Sequence, residues 1–192
     1  MDSKKISCVF LASGHSKRFQ GNKLLTLLDG RPLIQHVFEH LPAHIFHQAL
    51  VVTRYPQIVQ LAQDLHFTPI LNPDTTDDIA VTIRLGLEHL EQDVEGCMFS
   101  VCDQPFLSPA SLTTLVQEFQ THPHSIAALA HQGKRGNPVI FPRSLFSELS
   151  TLSPNQSGST VIARHPELLR LVEAGDSSQL QDIDYRADLP LG

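Results

Sequence analysis

The chain has 192 residues, of which 41% are hydrophobic and 18% charged, a composition typical of one globular domain with a sizeable core. Its formal net charge of −6 argues against non-specific nucleic-acid binding, because an acidic surface repels a phosphate backbone. No apolar run is long enough to span a bilayer, and the polar N-terminal segment lacks the pattern of a signal peptide. We therefore expect a cytoplasmic protein that binds neither nucleic acid nor membranes.

Apolar runs and amphipathic stretches alternate along the chain. The first run, Ile6–Leu11, predicts a buried strand that ends in a loop reaching Lys23, and Pro32 suits the first turn of a helix. The same patterns predict further strands at Gln48–Thr53, Pro69–Leu71, Gly96–Cys102, Ser125–Ala130, Val139–Phe141, Leu168–Val172 and Gln181–Ile183, and helices at Pro56–Leu65, Asp77–Leu90 and from Ser108 to Phe119.

This alternation of strands and helices predicts an α/β fold whose mostly parallel sheet is covered on both faces, in a single domain over residues 1–192. In such folds ligands bind beyond the carboxyl ends of the strands, near a switch in strand order. The loop Ala12–Lys23 and the segment Asp103–Pro105 each follow a predicted strand. We therefore expect them along one rim of the sheet.

The loop after the first strand combines small residues with cations. Small residues let backbone N–H groups approach an anion, and lysine or arginine adds the charge that a triphosphate requires. The loop has neither the P-loop nor the dinucleotide-binding spacing, and an ordinary solvated surface loop is the alternative. The small residues are Ala12, Ser13, Gly14 and Ser16, and the cations are Lys17, Arg18 and Lys23.

Three carboxylates are candidates for a metal site. Asp103 follows a buried strand, where it could hold a hard divalent cation; its alternative role is a turn residue before Pro105. Asp182 and Asp184 flank Ile183, and in a strand both would project to the same face and could complete that site. An exposed edge strand is the alternative for this pair.

The three cysteines, Cys8, Cys97 and Cys102, lie in or beside apolar runs. Their odd number, and the lack of zinc-type Cys/His spacing, predict free buried thiols. Asn137 lies in a Gly-Asn-Pro turn that feeds a strand, for which a purely structural role is the alternative.

Taken in order, the motifs L-A-x-G-x-S-x-R, K-L-L, C-D-Q-P, G-N-P-V and D-I-D…D-L resemble those of the MobA-like nucleotidyltransferases. The similarity runs from Ile6 to Leu189 and is closest to the branch of molybdenum cofactor cytidylyltransferases. It implies a three-layer α/β/α fold of the glycosyltransferase-A type. It also implies Mg²⁺-dependent transfer of a nucleoside monophosphate, CMP from CTP being favoured, to a phosphorylated acceptor. Molybdopterin is the favoured acceptor, with a molybdoenzyme as a possible partner.

The resemblance also implies roles for individual residues. The base and ribose would contact Leu11, Ala12, Ser13 and Gly14, and Thr82 would close over the nucleotide. The triphosphate would contact Ser16, Arg18 and Lys23, and Asp103 and Asp184 would ligate Mg²⁺. Asn137 would lie at the mouth of the acceptor pocket. Lys23, Arg18 and Asp103 would form the catalytic set.

Several segments depart from the family pattern. The stretch Asp78–Thr82 replaces small residues that close over the nucleotide, and Pro154–Ser159 lacks an aspartate and an arginine. Catalysis therefore requires Asp77 and Asp78 to face away from the triphosphate. Ser13 narrows the base pocket, which favours a pyrimidine. A related transferase using GTP or another acceptor, and a non-catalytic accessory protein that delivers a cofactor, are the alternatives.

Overall fold

The computed structural model describes residues 5–17, 19 and 21–188. These residues form nine strands and six α-helices, joined by short 3₁₀ turns. The strands are β1 (Ile6–Ala12), β2 (Leu27–Leu28), β3 (Arg31–Pro32), β4 (Gln48–Thr53), β5 (Thr68–Leu71), β6 (Gly96–Val101), β7 (Ile126–His131), β8 (Lys134–Pro142) and β9 (Leu169–Glu173). The helices are α1 (Leu33–Glu39), α2 (Pro56–Asp64), α3 (Ile79–Glu88), α4 (Pro109–Thr121), α5 (Phe146–Ser150) and α6 (Gly158–Arg164).

Seven of the strands form one sheet in the order β5-β4-β1-β6-β8-β7-β9, and β2 pairs with β3 in a separate hairpin. Strand β8 runs antiparallel to β6 and β7, whereas the remaining neighbours are parallel. The chain moves outward from β1 through β4 to β5 and then returns to β6 on the other side of β1. This reversal is the switch point at which α/β folds bind ligands.

Helices cover both faces of the sheet and give three layers. Along β1, Cys8 and Phe10 point into one core with residues of α1, α2 and α4, while Val9 points into the other with residues of α3, α5 and α6. Helix α3 lies so close to β1 that a Cβ on Gly86 would be 2.6 Å from Val9 Cγ1. The predicted α/β/α architecture is confirmed.

Most predicted elements are present, with two kinds of error. Gln181–Ile183 was predicted to be a strand but lies in irregular backbone, and the short helices α5 and α6 were not predicted. Helix α6 begins where the Ser157 side chain accepts a hydrogen bond from the Ser159 N–H. None of the helices in the described part of the chain has the length and apolar character needed to cross a membrane.

Candidate functional site

Lys23 is positioned by its two neighbours in sequence. The Asn22 side chain accepts a hydrogen bond from the Leu24 N–H at 3.0 Å and so starts a single 3₁₀ turn, Lys23–Leu25. Leu24 is buried in the core beneath the rim. Lys23 therefore lies between the capping residue Asn22 and the buried Leu24, and it does not belong to a freely solvated loop.

The Lys23 ammonium joins two carboxylates that are remote in sequence. Its Nζ lies 2.7 Å from Asp103 Oδ2 and 3.1 Å from Asp184 Oδ1. The Lys23 side chain is 15% exposed. Burial alone would lower the pKa of Lys23, but the two carboxylates outweigh it and raise the pKa above its usual range. We call Lys23, Asp103 and Asp184 the Lys23 cluster.

The Lys23 cluster contains carboxylate oxygens of the kind that ligate divalent cations. The second oxygen of Asp103, Oδ1, is buried, and no hydrogen-bond donor among the described residues reaches it. A buried carboxylate oxygen without a partner is costly unless a cation or water satisfies it. Mg²⁺ is commonly held by one or two carboxylates together with substrate phosphates, so the predicted ligands Asp103 and Asp184 fit this ion.

Asp182 belongs to a different contact. Its Oδ1 accepts a hydrogen bond from Gln104 Nε2 at 2.8 Å. The segment was predicted to be a strand, but it is irregular backbone that Ile183 anchors to the protein interior. Ile183 is fully buried, and its N–H donates to the Asp103 carbonyl at 2.9 Å. Partial desolvation and the nearby Asp103 carboxylate raise the pKa of Asp182.

The loop after β1 presents backbone groups to the rim. Ala12 and Ser13 are buried and tied to β4: the Thr53 hydroxyl donates to the Ala12 carbonyl at 2.9 Å, and Ser13 Oγ donates to the Val52 carbonyl at 3.1 Å. The chain then turns outward at Gly14, and Ser16 adopts a positive φ of 51°. Such a turn, made of small residues, leaves room for an anion.

Asp77 contacts this loop through both of its carboxylate oxygens. Its Oδ1 accepts a hydrogen bond from the His15 N–H at 2.9 Å, and its Oδ2 lies 3.1 Å from Lys17 Nζ. Partial burial opposes ionisation, but the His15 N–H and Lys17 hold the pKa of Asp77 below its usual range. Asp78 caps α3 by accepting a hydrogen bond from the Ala80 N–H at 3.0 Å.

Arg54 and Tyr55, which follow β4, also hold the loop and were not predicted. Arg54 donates to His15 Nε2 at 2.5 Å and to the Thr76 carbonyl at 2.6 Å. The Tyr55 hydroxyl donates to the Gly14 carbonyl at 2.8 Å. Their position directly after a predicted parallel strand was the available signal, because the ends of such strands share one rim.

Three cavities meet around the end of β1. The Lys23 cavity, about 410 Å³, is lined by residues 14–17, the Lys23 cluster and Asp77. The Thr82 cavity, about 100 Å³, shares Gly14 and Asp77 with it. The Asn137 cavity, about 140 Å³, shares Val101 with the first cavity and Leu11 with the second. The three cavities thus adjoin one another along one rim.

Most of the other predicted residues lie at these cavities, but the fully buried Ala12 lines none of the three. Leu11, Ser13 and the buried Thr82 line the Thr82 cavity, and Ser16 lines the Lys23 cavity. Asn137 lines its cavity beside Arg135, because β8 is antiparallel to β6 and so begins where β6 ends. Arg18 lies outside the described residues.

The cysteines supply no nucleophile to this rim. Cys8, Cys97 and Cys102 are free and buried, as predicted. Burial raises the pKa of each thiol, so all three remain protonated at neutral pH.

A lysine shared by two carboxylates, beside a loop of mostly small residues and three adjoining cavities, is suited to group transfer between anionic substrates. Comparison with known proteins agrees. Residues 8–169 match the family described as MobA-like NTP transferase domain. A protein of Histophilus somni named molybdenum cofactor guanylyltransferase is 32% identical over 148 residues, which cover 76% of this chain and 70% of that protein.

Two solved structures share the fold. One is a crystal structure of a protein from Mycobacterium tuberculosis, with a TM-score of 0.84, 21% identity, and 98% of this chain and 96% of that one covered. The other is a protein of Methanothermobacter thermautotroptrophicus that is named a nucleotidyl transferase, with a TM-score of 0.80, 19% identity, and 96% of this chain and 94% of that one covered. The protein is an α/β nucleotidyltransferase. More particularly, the chain belongs to the MobA-like NTP transferase family.

Proposed function

We propose that the protein transfers CMP from CTP to the phosphate of molybdopterin or of its molybdenum-loaded form, and releases pyrophosphate. The observation that carries this proposal is the Lys23 cluster beside the loop of residues 12–16 in the Lys23 cavity. Backbone donors and a partly buried cation next to two carboxylates match the needs of a triphosphate with its metal ion.

In the proposed reaction a phosphate oxygen of the acceptor attacks the α-phosphorus of CTP. The bond from the α-phosphorus to the bridging oxygen breaks, and the β- and γ-phosphates leave as pyrophosphate. The acceptor phosphate is ionised at neutral pH, so no general base is required. The protein contributes positioning and neutralisation of charge, which are the main sources of rate enhancement in phosphoryl transfer.

Lys23 is proposed to stabilise the charge that develops on the leaving pyrophosphate, with Ser16 and Arg18 completing the contacts to the triphosphate. Asp103 and Asp184 would hold Mg²⁺. That ion supplies charge neutralisation and a template for the phosphate oxygens when it is bound.

The Thr82 cavity is the proposed site of the nucleobase, with Leu11, Ser13 and Gly14 along one wall and Ala12 buried behind them. Its small volume, about 100 Å³, and the fixed position of the Ser13 side chain favour a pyrimidine. GTP is the second candidate, because the Histophilus somni relative is named a guanylyltransferase.

The Asn137 cavity is the proposed site of the acceptor. Its walls are largely apolar, from Phe99, Val139 and Phe141 among others, and Asn137 and Arg135 provide polar groups. A flat heterocycle with an anionic substituent matches such walls. A molybdoenzyme that receives the product is the proposed partner.

The first test is a thermal-shift panel of four NTPs with and without Mg²⁺, followed by a pyrophosphate-release assay with molybdopterin. A ligand at a hundredfold excess over its Kd adds about 2.7 kcal/mol to stability, so binding is readily detected. We expect stabilisation by CTP with Mg²⁺, and pyrophosphate release that requires the acceptor. Absence of any nucleotide effect would contradict the proposal.

The choice of base is tested by kcat/KM for CTP and GTP in the native protein and in Ser13→Gly. We expect the native protein to prefer CTP and Ser13→Gly to shift toward GTP. Ser13→Ala is the matched control, because it loses the hydroxyl but keeps the Cβ that narrows the pocket. Equal kcat/KM for both nucleotides in the native protein would remove the base assignment.

A further inference from the structure

The Asp77 carboxylate lies on two groups that are well placed to bind phosphate, the His15 N–H and the Lys17 ammonium. The two contacts are 2.9 and 3.1 Å long and use one carboxylate oxygen each. A backbone N–H and an ammonium that converge on one anionic group form an anion site. In this structure the anion is a side chain of the protein itself.

Asp77 also stands where two cavities adjoin. It lines both the Lys23 cavity and the Thr82 cavity, which share only it and Gly14 among the described lining residues. A nucleotide with its base in one cavity and its phosphates in the other must pass this boundary. Its phosphates would then meet a carboxylate of the same charge.

We propose that Lys17 and the His15 N–H bind a phosphate group of the nucleotide, and that Asp77 is an internal occupant of this site which the nucleotide displaces. The inference rests on the proposed function, because it concerns the same triphosphate. It assigns Lys17 and His15 as phosphate-binding residues and gives Asp77 a competing role.

The local structure allows Asp77 to leave. The side chains of Lys17 and Asp77 are 70% and 30% exposed, so water can solvate both when they separate. The cap of α3 is made by Asp78 and not by Asp77. Rotation of the Asp77 side chain therefore leaves the start of α3 in place. The residues through which this helix lines the Thr82 cavity, Asp78, Ile79 and Thr82, do not have to move.

The need to displace Asp77 lowers the apparent affinity for nucleotide, because the His15 N–H and Lys17 are free in only a fraction of the protein molecules. One hydrogen bond and one exposed ion pair correspond to a reduction of about tenfold. The same competition acts on pyrophosphate after the reaction. When Asp77 regains the His15 N–H and Lys17, it promotes release of the leaving group.

The test measures the Kd of tripolyphosphate with Mg²⁺, and then of CTP with Mg²⁺, by calorimetry. Tripolyphosphate has no base or ribose, so its binding reports on the phosphate donors alone and does not depend on turnover. Asp77→Ala removes the competing acceptor, and Asp77→Asn removes its charge. Asp93→Asn is the control, because it makes the same change in charge in the loop before β6, at the opposite end of the sheet.

We expect Asp77→Ala to bind tripolyphosphate about tenfold more tightly than the native protein, Asp77→Asn to fall between them, and Asp93→Asn to match the native protein. Lys17→Ala placed in the Asp77→Ala protein should weaken binding at least about fivefold, because Lys17 is then a direct phosphate ligand. The inference would be overturned if Asp77→Ala bound tripolyphosphate no more tightly than Asp93→Asn. It would also be overturned if Lys17→Ala, added to the Asp77→Ala protein, left this affinity unchanged.

The outcomes separate this inference from the proposed function. If the native protein binds and turns over nucleotide, and neither Asp77 variant binds it more tightly, nucleotidyl transfer still stands and the competition by Asp77 is refuted. Binding that appears only in the Asp77 variants supports the competition and counts against transfer by the native protein. No binding by any variant contradicts both.

Discussion

Two lysine–carboxylate contacts on the same rim differ in how firmly they are held. In the Lys23 cluster the side chains of Lys23 and Asp103 are 15% and 19% exposed, and Asn22 and Leu24 fix the lysine on either side. The contact between Lys17 and Asp77 has a similar length, but its lysine is 70% exposed. Distance alone therefore does not distinguish a fixed arrangement from one that a ligand can replace.

Burial accounts for the difference. When a buried pair separates, each charge is left out of water without a partner, which is costly, whereas exposed pairs contribute little because water and salt replace them. The Lys23 cluster also joins three distant parts of the chain, and the Asp77 contact joins a loop to the start of one helix. We expect changes in the Lys23 cluster to cost both activity and stability, and changes at Asp77 to alter binding alone.

The largest effect is expected for Asp103→Asn. The change removes a charged oxygen of the proposed Mg²⁺ site and should lower pyrophosphate release by about 10³-fold at saturating Mg²⁺. Asp184→Asn should show the same kind of defect. Asp93→Asn, in the loop before β6, is the charge-matched control and should keep native turnover. Native rates in Asp103→Asn would show that the metal assignment is wrong.

Lys23→Ala should lower turnover by roughly 10²–10³-fold, because a preorganised cation beside the leaving group is lost. Asp103 and Asp184 would then face each other without a shared cation, so the free energy of unfolding should fall by about 1–3 kcal/mol in Mg²⁺-free buffer. Added Mg²⁺ should restore part of this loss, because a bound cation replaces the ammonium charge.

The control is Lys5→Ala, which breaks an exposed pair with Asp93 at the opposite rim and should change neither quantity appreciably. A loss of turnover below about threefold in folded Lys23→Ala would show that Lys23 is a surface lysine without a role in the reaction.

The smallest effect is expected for Asp182→Asn. The pKa of Asp182 is raised in the folded chain, so its ionised form disfavours folding, and stability falls as pH rises through that raised pKa. Asparagine carries no charge and still accepts the hydrogen bond from Gln104. Thermal melts should show a gain below about 1 kcal/mol at pH 7, and none below the ordinary aspartate pKa of about 3.9. A clear loss of stability at pH 7 would contradict this placement of Asp182.

Local patterns in the sequence were sufficient for much of the fold. The buried runs such as Gly96–Val101 and the amphipathic helices were predictable because side-chain periodicity and caps act within one element. These sequence patterns also predicted that the loop of residues 12–16 and Asp103 lie on one rim, because the carboxyl ends of parallel strands lie at the same edge of a sheet. The short helices α5 and α6 gave too few residues for a periodic signal.

The sequence by itself determined the α/β alternation, the rim and the residue types of the site; the tertiary structure decided which of these residues touch. Lys23 reaches carboxylates 80 and 161 residues away, and Asp77 meets His15 across 62 residues. No periodicity encodes such contacts, because they depend on the order of strands in the sheet and on how the loops pack above it. For the same reason the alternation of residues 182–184 did not predict the hydrogen bond that Asp182 accepts from Gln104.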